Sequence, residues 1–197
     1  TIYSFMVKAT DVSGNQSVSE TERTFTLATG AEIGMRAPDF TLSSLDGKQI
    51  TLNDYAGKVI LLDFWIWTCP GCREKLTIIQ DVFNKMPPEK VAIFTIHVRG
   101  NETIIRNYAT SEDLTLPILL DPDAAVAELY QVTGLPTTFV IDSSGFIRLI
   151  DPAFSNTEQL EDIVNTMLGT EQKTQSKIPL NFGTATLYCT SSTRSSL

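Results

Sequence analysis

Two cysteines separated by two residues, Cys69 and Cys72, are the residues of this sequence best suited to chemistry. They lie in the stretch FWIWTCPGCREK, directly after an apolar run. The 197-residue chain has three cysteines in all, so most of its thiols are concentrated here. Three kinds of chemistry fit such a pair: a structural disulfide, half of a metal site, or a dithiol that is oxidised and reduced in turn.

The structural and metal alternatives explain less of the pattern than the redox alternative. In the chain-entropy model, a disulfide that closes so short a loop stabilises a fold by only about 2 kcal/mol. Structural zinc takes four ligands, and the sequence adds one distant cysteine, Cys189, and one histidine, His97. Soft thiolates suit Cu(I), so a copper site of the pair with His97 is a further alternative. We predict no metal site.

The residues that follow Cys69 favour redox chemistry because they predict a helix that begins at the pair. Pro70 would occupy the first helical position, where its missing N–H costs nothing. Cys69 would then be the N-cap, close to the positive end of the helix dipole, which favours a thiolate. Cys72 would lie one turn along the helix, close enough to form a disulfide. Gly71 would leave room above the sulfurs for a partner backbone.

The flanking elements that would position the pair alternate between strands and helices, which is typical of an α/β fold with a mixed sheet. Residues 59–65, VILLDFW, predict a strand covered on both faces. Hairpins are expected over 37–58 and 137–151, with turns at Asp46-Gly47 and Ser143-Ser144-Gly145. Further strands are expected at 91–98 and 116–121, and helices at 101–111, from Asp123 to about Tyr130, and at 156–169.

The two ends of the chain differ from this central region in residue pattern and composition. Residues 1–28 alternate between apolar and polar side chains and predict two strands, too few for a stable domain. Residues 29–36 are interpreted as a linker, 37–170 as the α/β domain, and 171–197 as a low-complexity tail rich in Ser and Thr. Because the chain starts at Thr1, we interpret it as a fragment of a longer precursor.

Composition limits the possible partners. The net charge of −8 argues against a nucleic-acid partner, because phosphate binding needs clustered Lys and Arg. No apolar run approaches the ~18 residues of a membrane span. The absence of a glycine-rich phosphate loop from the sequence leads us to predict no bound cofactor.

Three motifs in order resemble the thioredoxin-fold family, and in particular its extracytoplasmic TlpA/ResA-type branch. They are APDFTLSSLDGKQITL with the following GK, then VILLDFW with the C-x-x-C pair, then GLPTTFVID. The resemblance covers residues 35–169. It implies a three-layer α/β/α fold with a mixed sheet and an added N-terminal β-hairpin.

This resemblance assigns roles to four residues. Cys69 matches the attacking cysteine and Cys72 the resolving one, while Pro136 matches the cis-proline beside the disulfide. Asp63 matches a buried acid. Burial raises a carboxyl pKa, so Asp63 could accept the proton of Cys72. A structural carboxylate at Asp63 and an ordinary trans proline at Pro136 are the alternatives.

The sequence departs from the family pattern around the pair. The position before the first cysteine, usually Trp, is Thr68, and Trp67 comes one residue earlier. Where many relatives have Glu three residues after the second cysteine, this chain has Lys75, and Glu74 comes one earlier. Lys75 and Arg73 could instead favour the thiolates electrostatically.

The N-terminal stretch YSFMVKATDVSGNQS resembles the last strands of bacterial fibronectin type III modules. The resemblance covers residues 1–28 and implies residual β-sandwich strands in an extracytoplasmic parent protein, with possible membrane anchoring of the full-length chain.

The function expected from these patterns is thiol–disulfide exchange with protein disulfides or dithiols through a mixed disulfide. The resemblance implies a reductant that receives electrons from a membrane-borne thiol donor. A peroxiredoxin-like thiol peroxidase is one alternative, but it needs a Thr three residues before the reactive cysteine, and Ile66 stands there. A non-catalytic cell-surface binding segment is the other.

Overall fold

The chain divides into two units, one formed by Thr1–Leu27 with Thr170–Leu197 and the other by Ala28–Gly169. The computed structural model describes residues 2–10, 16–24, 30–151, 153–174, 180–182 and 185–189. In this part of the chain, no helix is both long enough and apolar enough to cross a bilayer.

The first two strands form an antiparallel pair, β1 (Ile2–Thr10) and β2 (Gln16–Thr24). Their register runs from Ile2 opposite Thr24 to Thr10 opposite Gln16. The alternation of apolar and polar residues in the sequence predicts such strands. Residues 11–15, which join the two strands in the sequence, lie outside the described residues.

A seven-stranded mixed sheet forms the centre of the second unit. Its strands are β3 (Thr41–Ser44), β4 (Gln49–Thr51), β5 (Val59–Trp65), β6 (Val91–Val98), β7 (Ile118–Asp121), β8 (Thr137–Ile141) and β9 (Ile147–Ile150). They are arranged in the order β4-β3-β7-β6-β5-β8-β9. The parallel strands β5, β6 and β7 form the middle of the sheet, and β3 and β8 run antiparallel to their neighbours β7 and β5. Both predicted hairpins are present, with left-handed glycines in their turns at Gly47 (φ 83°) and Gly145 (φ 84°).

Helices cover both faces of this sheet. One apolar cluster joins α1, α2 and α4 to the face that includes Val59 and Leu61, and a second joins α3 and a 3₁₀ turn to the face that includes Ile60 and Leu62. This arrangement is the three-layer architecture that the family resemblance implies. The helices are the 3₁₀ turn Leu52–Tyr55, α1 (Pro70–Lys85), α2 (Glu102–Ser111), α3 (Ala125–Leu129) and α4 (Thr157–Thr174).

The cap of α3 differs from the prediction that Asp123 begins this helix. Ala124 is the N-cap and adopts a left-handed conformation (φ 59°) without a side-chain capping bond. The buried carboxylate of Asp121 instead accepts the N–H groups of Val126 and Ala127, at 3.2 and 2.9 Å. Asp121 ends β7, so the chain folds back over its side chain and brings the free amides of the helix to it.

The described residues of the predicted tail over 171–197 include regular secondary structure. Helix α4 continues past Gly169, its predicted end, to Thr174. Two strands follow, β10 (Leu180–Phe182) and β11 (Ala185–Cys189), and β11 pairs antiparallel with β1. This pairing joins opposite ends of the chain. A short stretch with only weak alternation of apolar and polar residues gives no local signal for such a non-local interaction. The remaining domain boundaries stay predictions.

Candidate active site

The two cysteines form a disulfide at the start of α1, with their Cα atoms 5.3 Å apart. Cys69 is the N-cap in an extended conformation, and Pro70 follows at the start of the helix. The Cys72 backbone N–H donates to Cys69 Sγ at 3.2 Å. A sulfur at this position therefore receives both a hydrogen bond and the field of the helix dipole, and both favour a thiolate in the reduced form.

The two sulfur-bearing residues differ in their access to solvent. Cys72 is fully buried and packs in the apolar cluster that contains Trp65, Leu76 and Ile79, whereas Cys69 is half-buried. A Cβ added at the exposed Gly71 would have no protein atom within 4 Å. The surface above the disulfide is therefore open, and an approaching polypeptide can reach Cys69 but not Cys72.

The loop that precedes β8 lies against this disulfide. The peptide bond between Leu135 and Pro136 is cis, the isomer that the family resemblance implied. The carbonyl oxygen of Leu135 lies 3.9 Å from Cys69 Sγ. This places the backbone of the Pro136 loop beside the sulfur of Cys69.

Asp63 lies in β5 and is completely buried. Its Oδ1 accepts the hydroxyl of Thr138 at 2.7 Å, while Oδ2 is buried without a hydrogen-bond partner among the described residues. Desolvation raises the pKa of this carboxyl from 3.8 to about 7, against the opposing effect of the Thr138 hydrogen bond. Alternate residues of a strand share a face, so Asp63 faces the α1 side of the sheet, as Leu61 and Trp65 do.

A short polar network connects Asp63 to the surface. The Thr138 backbone N–H donates to Asp151 Oδ1 at 2.9 Å, and Lys75 Nζ of α1 lies 4.0 Å from the same oxygen. The Lys75 ammonium also lies 4.7 Å from the centre of the Phe154 ring. The positive charge of Lys75 lowers the pKa of Asp63, and the negative charge of Asp151 raises it.

Replacing Lys75 with methionine should therefore raise the pKa of Asp63, because the lowering effect of the ammonium is lost and the raising effect of Asp151 remains. We expect a shift below about one pH unit, since Lys75 and Asp151 are partly solvated. A pH titration of the Asp63 carboxyl carbon by NMR measures the shift directly. Lys75→Arg keeps the charge and is the matched control, and a downward shift in Lys75→Met would contradict the electrostatic account.

His97, considered above as a metal ligand, has a different environment in the structure. Its Nε2 accepts the backbone N–H of Trp67 at 3.1 Å, and burial lowers its pKa to about 4. Among the described residues, no group of three His, Cys, Asp or Glu side chains is arranged to hold a metal ion.

An open cavity of about 760 Å³ lies next to the disulfide. Its lining includes Trp67, Thr68 and Leu135, together with Arg99 and Glu128. Trp67, the displaced aromatic residue of the motif, is 37% exposed. The ring therefore borders the cavity beside the pair.

Comparison with known proteins identifies the class to which this fold and site belong. The ResA thiol-disulfide oxidoreductase of Geobacillus thermodenitrificans is 34% identical over 139 residues, which cover 71% of this chain and 78% of that protein. The exposed lipoprotein thioredoxin Etrx1 of Streptococcus pneumoniae has a crystal structure with a TM-score of 0.58 at 28% identity, covering 66% of this chain and 99% of that one. A thiol:disulfide interchange protein of Chlorobium tepidum gives a TM-score of 0.60 at 25% identity, covering 68% and 96%.

The fold and the disulfide thus define a thioredoxin-like thiol–disulfide oxidoreductase that acts on protein thiols, as the sequence predicts. Residues 33–150 match the AhpC/TSA family, and the chain belongs to that family. The matched region contains both hairpins, the cysteine pair and Pro136.

Of the four residues selected from the sequence, the structure places Cys69, Cys72 and the Leu135–Pro136 peptide around the disulfide. Asp63 is buried in β5 on the side of the sheet that α1 covers. Sequence reasoning missed Thr138 and Asp151, which connect Asp63 to Lys75. The one available signal was their position in and after the GLPTTFVID motif, because β8 pairs with β5 and places Thr138 opposite Asp63.

Proposed function

We propose that Cys69 is the attacking cysteine of this oxidoreductase and Cys72 the resolving one. The observation that carries the proposal is the difference in exposure, since Cys69 is accessible at the helix N-terminus and Cys72 is fully buried. A substrate can form a mixed disulfide only with the accessible sulfur. The buried sulfur, one turn away, can attack only the bond that Cys69 has formed.

The reaction in the reducing direction has two displacements. The Cys69 thiolate attacks a substrate disulfide, so that a bond from Cys69 Sγ to one substrate sulfur forms and the second substrate sulfur leaves and takes up a proton. Cys72 then loses its proton and attacks Cys69 Sγ, which re-forms the disulfide and releases the first substrate sulfur. Two electrons pass from the pair to the substrate.

Asp63 is proposed to accept the Cys72 proton in the second displacement. A general base must be unprotonated at the working pH, and its pKa should lie close to that pH. A carboxyl with a pKa of about 7 satisfies both conditions at neutral to slightly alkaline pH. Among the described residues, its Oδ2 has no hydrogen-bond partner, which leaves an acceptor free. Pro136 is proposed to shape the groove in which the substrate chain pairs with the backbone of Leu135.

We propose the reducing direction from the resemblance to the TlpA/ResA-type branch, with a membrane-borne thiol donor that restores the dithiol. An extracytoplasmic location is part of the same proposal, and the exposed lipoprotein thioredoxin among the similar structures supports it. The antiparallel β1–β2 pair supports the proposal that residues 1–28 are the last strands of a fibronectin type III-like module.

Insulin reduction with dithiothreitol as electron donor tests the proposed function, and a redox titration in glutathione buffers tests the direction. We expect catalysed precipitation of insulin and a reduction potential below about −200 mV, nearer to thioredoxin than to DsbA. A potential above about −150 mV would contradict the reducing direction. Turnover of hydrogen peroxide without insulin reduction would establish the peroxidase alternative, and inactivity in both assays would favour the binding segment.

A further inference from the structure

We propose that His97 is a positioning residue for the active-site loop, acting through the backbone of Trp67 to orient the residues that lead into Cys69. The inference rests on the proposed role of Cys69. His97 lies at the end of β6 and has no part in the two displacements described above. Its contacts connect a neighbouring strand to the loop at residues 66–68.

The hydrogen bond from the Trp67 N–H to His97 holds the backbone of this loop in place. Between β5 and α1, the Cys69 N–H donates to the carbonyl of Ile66 at 3.2 Å and closes a turn. The Trp67 N–H points out of that turn and donates to His97 Nε2 at 3.1 Å. Among the described residues, no other side chain hydrogen-bonds to the backbone of Trp67 or Thr68.

The imidazole is held firmly enough to act as such a support. His97 is 1% exposed, and its ring meets Trp65 edge-on, with centroids 4.8 Å apart and an interplanar angle of 84°. A Cβ added at Gly100 would lie 2.5 Å from His97 Cε1 and 3.0 Å from Nδ1. The ring therefore fills the space against the Gly100 backbone, and position 100 requires a residue without a side chain.

The hydrogen bond also determines the tautomer of the ring. Nε2 accepts, so the proton of the neutral imidazole must reside on Nδ1. Nδ1 is buried and has no hydrogen-bond partner among the described residues. A buried unpaired donor is costly, and an apolar residue would avoid that cost in this core. The bond to Trp67 is what the histidine adds.

The consequence for function is local. Trp67 and Thr68 border the cavity next to the disulfide, together with Leu135 on the opposite loop. Fixing the Trp67 backbone therefore fixes one wall of the space through which a substrate reaches Cys69 Sγ. Without the bond, the loop samples other orientations and productive approaches become rarer.

Two measurements on the wild-type protein test the geometry without any substitution. Nitrogen-15 NMR at neutral pH should show His97 with Nδ1 protonated and Nε2 unprotonated, and hydrogen exchange should show a protected Trp67 amide. A protonated Nε2, or a Trp67 amide that exchanges as fast as in an unstructured peptide, would overturn the proposal. Both results are independent of whether the protein reduces insulin, so they separate this inference from the proposed function.

Two variants test the consequence. His97→Gln retains an acceptor in place of Nε2, whereas His97→Leu has none. We expect His97→Leu to accelerate Trp67 amide exchange and to slow single-turnover reaction at Cys69 by about tenfold each, the loss of roughly one hydrogen bond. His97→Gln should remain within about threefold of wild type in both. Equal behaviour of the two folded variants would overturn the proposal. If His97→Leu does not fold, a slow Trp67 amide exchange in His97→Gln supports it and a fast exchange overturns it.

Discussion

Cys69→Ser is expected to reduce insulin-disulfide turnover to the uncatalysed rate, whereas Cys72→Ser is expected to stop the reaction at a mixed disulfide with the substrate. The reason is that the first displacement needs the accessible sulfur, and the second needs the buried one. Without Cys69 Sγ no substrate bond forms, because Cys72 is fully buried and no polypeptide reaches it. Without Cys72 Sγ the mixed disulfide has no internal nucleophile and accumulates.

Intact-mass spectrometry after a single turnover with a peptide disulfide measures this difference directly. The Cys72→Ser protein should gain the mass of one substrate half, attached at Cys69, and release it on addition of dithiothreitol. Cys189→Ser is the matched control, because it removes the third thiol of the sequence and leaves Cys69 and Cys72 in place, and it should retain wild-type turnover. Attachment at Cys72 in a Cys69→Ser protein would reverse the assigned roles.

The position of the cysteine pair could be predicted because its determinants are local. An apolar run, an N-cap cysteine and a proline at the first helical position follow one another within a few residues, and each has a direct conformational meaning. The same holds for the turns at Gly47 and Gly145, where the backbone needs a positive φ.

The surroundings of Asp63 could not be predicted in the same way because they depend on register. Thr138 is 75 residues from Asp63 in the sequence, and their contact requires that β8 pair with β5 in one particular alignment. Asp151 joins this hydrogen-bond network from a left-handed backbone conformation (φ 46°), which the residue type alone does not predict. A polar residue within an apolar strand indicates that its buried side chain needs a hydrogen-bond partner. It does not identify that partner.

The predicted start of α3 and the predicted end of α4 were wrong for related reasons. Asp123 is well placed in sequence to cap α3, yet the left-handed turn at Ala124 directs the helix amides to Asp121. Gly169 resembles a helix end, yet α4 continues to Thr174, since an interior glycine costs only about 1 kcal/mol relative to alanine. In both cases a plausible local signal is outweighed by the path of the chain.

Asp63→Asn is expected to stabilise the protein at high pH while slowing the release of substrate. A buried carboxyl whose pKa is raised holds its proton in the folded chain at pH values where the unfolded chain has lost it. Stability therefore falls as the pH rises from 3.8 to about 7 and is constant above that. The difference between these two values corresponds to a penalty of at most about 4 kcal/mol above pH 7.

Asparagine cannot ionise, so Asp63→Asn should remove this pH dependence, while the oxygen of the introduced amide accepts the Thr138 hydroxyl as the carboxylate does. Urea unfolding at a series of pH values measures the effect, and we expect the variant to gain stability relative to wild type steadily from about pH 4 to pH 7. A constant difference across this range would show that the Asp63 carboxyl titrates normally.

The kinetic consequence has the opposite sign, which separates the base role of Asp63 from a purely structural one. Decay of the mixed disulfide should accelerate in wild type as the pH rises through about 7, because Asp63 must be unprotonated to take the Cys72 proton. In Asp63→Asn this inflection should disappear and the decay should slow by about 10²-fold at about pH 8, the range typical of general-base loss. Rapid quench of the mixed disulfide followed by mass analysis gives the rate. A more stable variant that retains the inflection near neutral pH would remove Asp63 from the reaction, and the proton of Cys72 would then have to leave by another route.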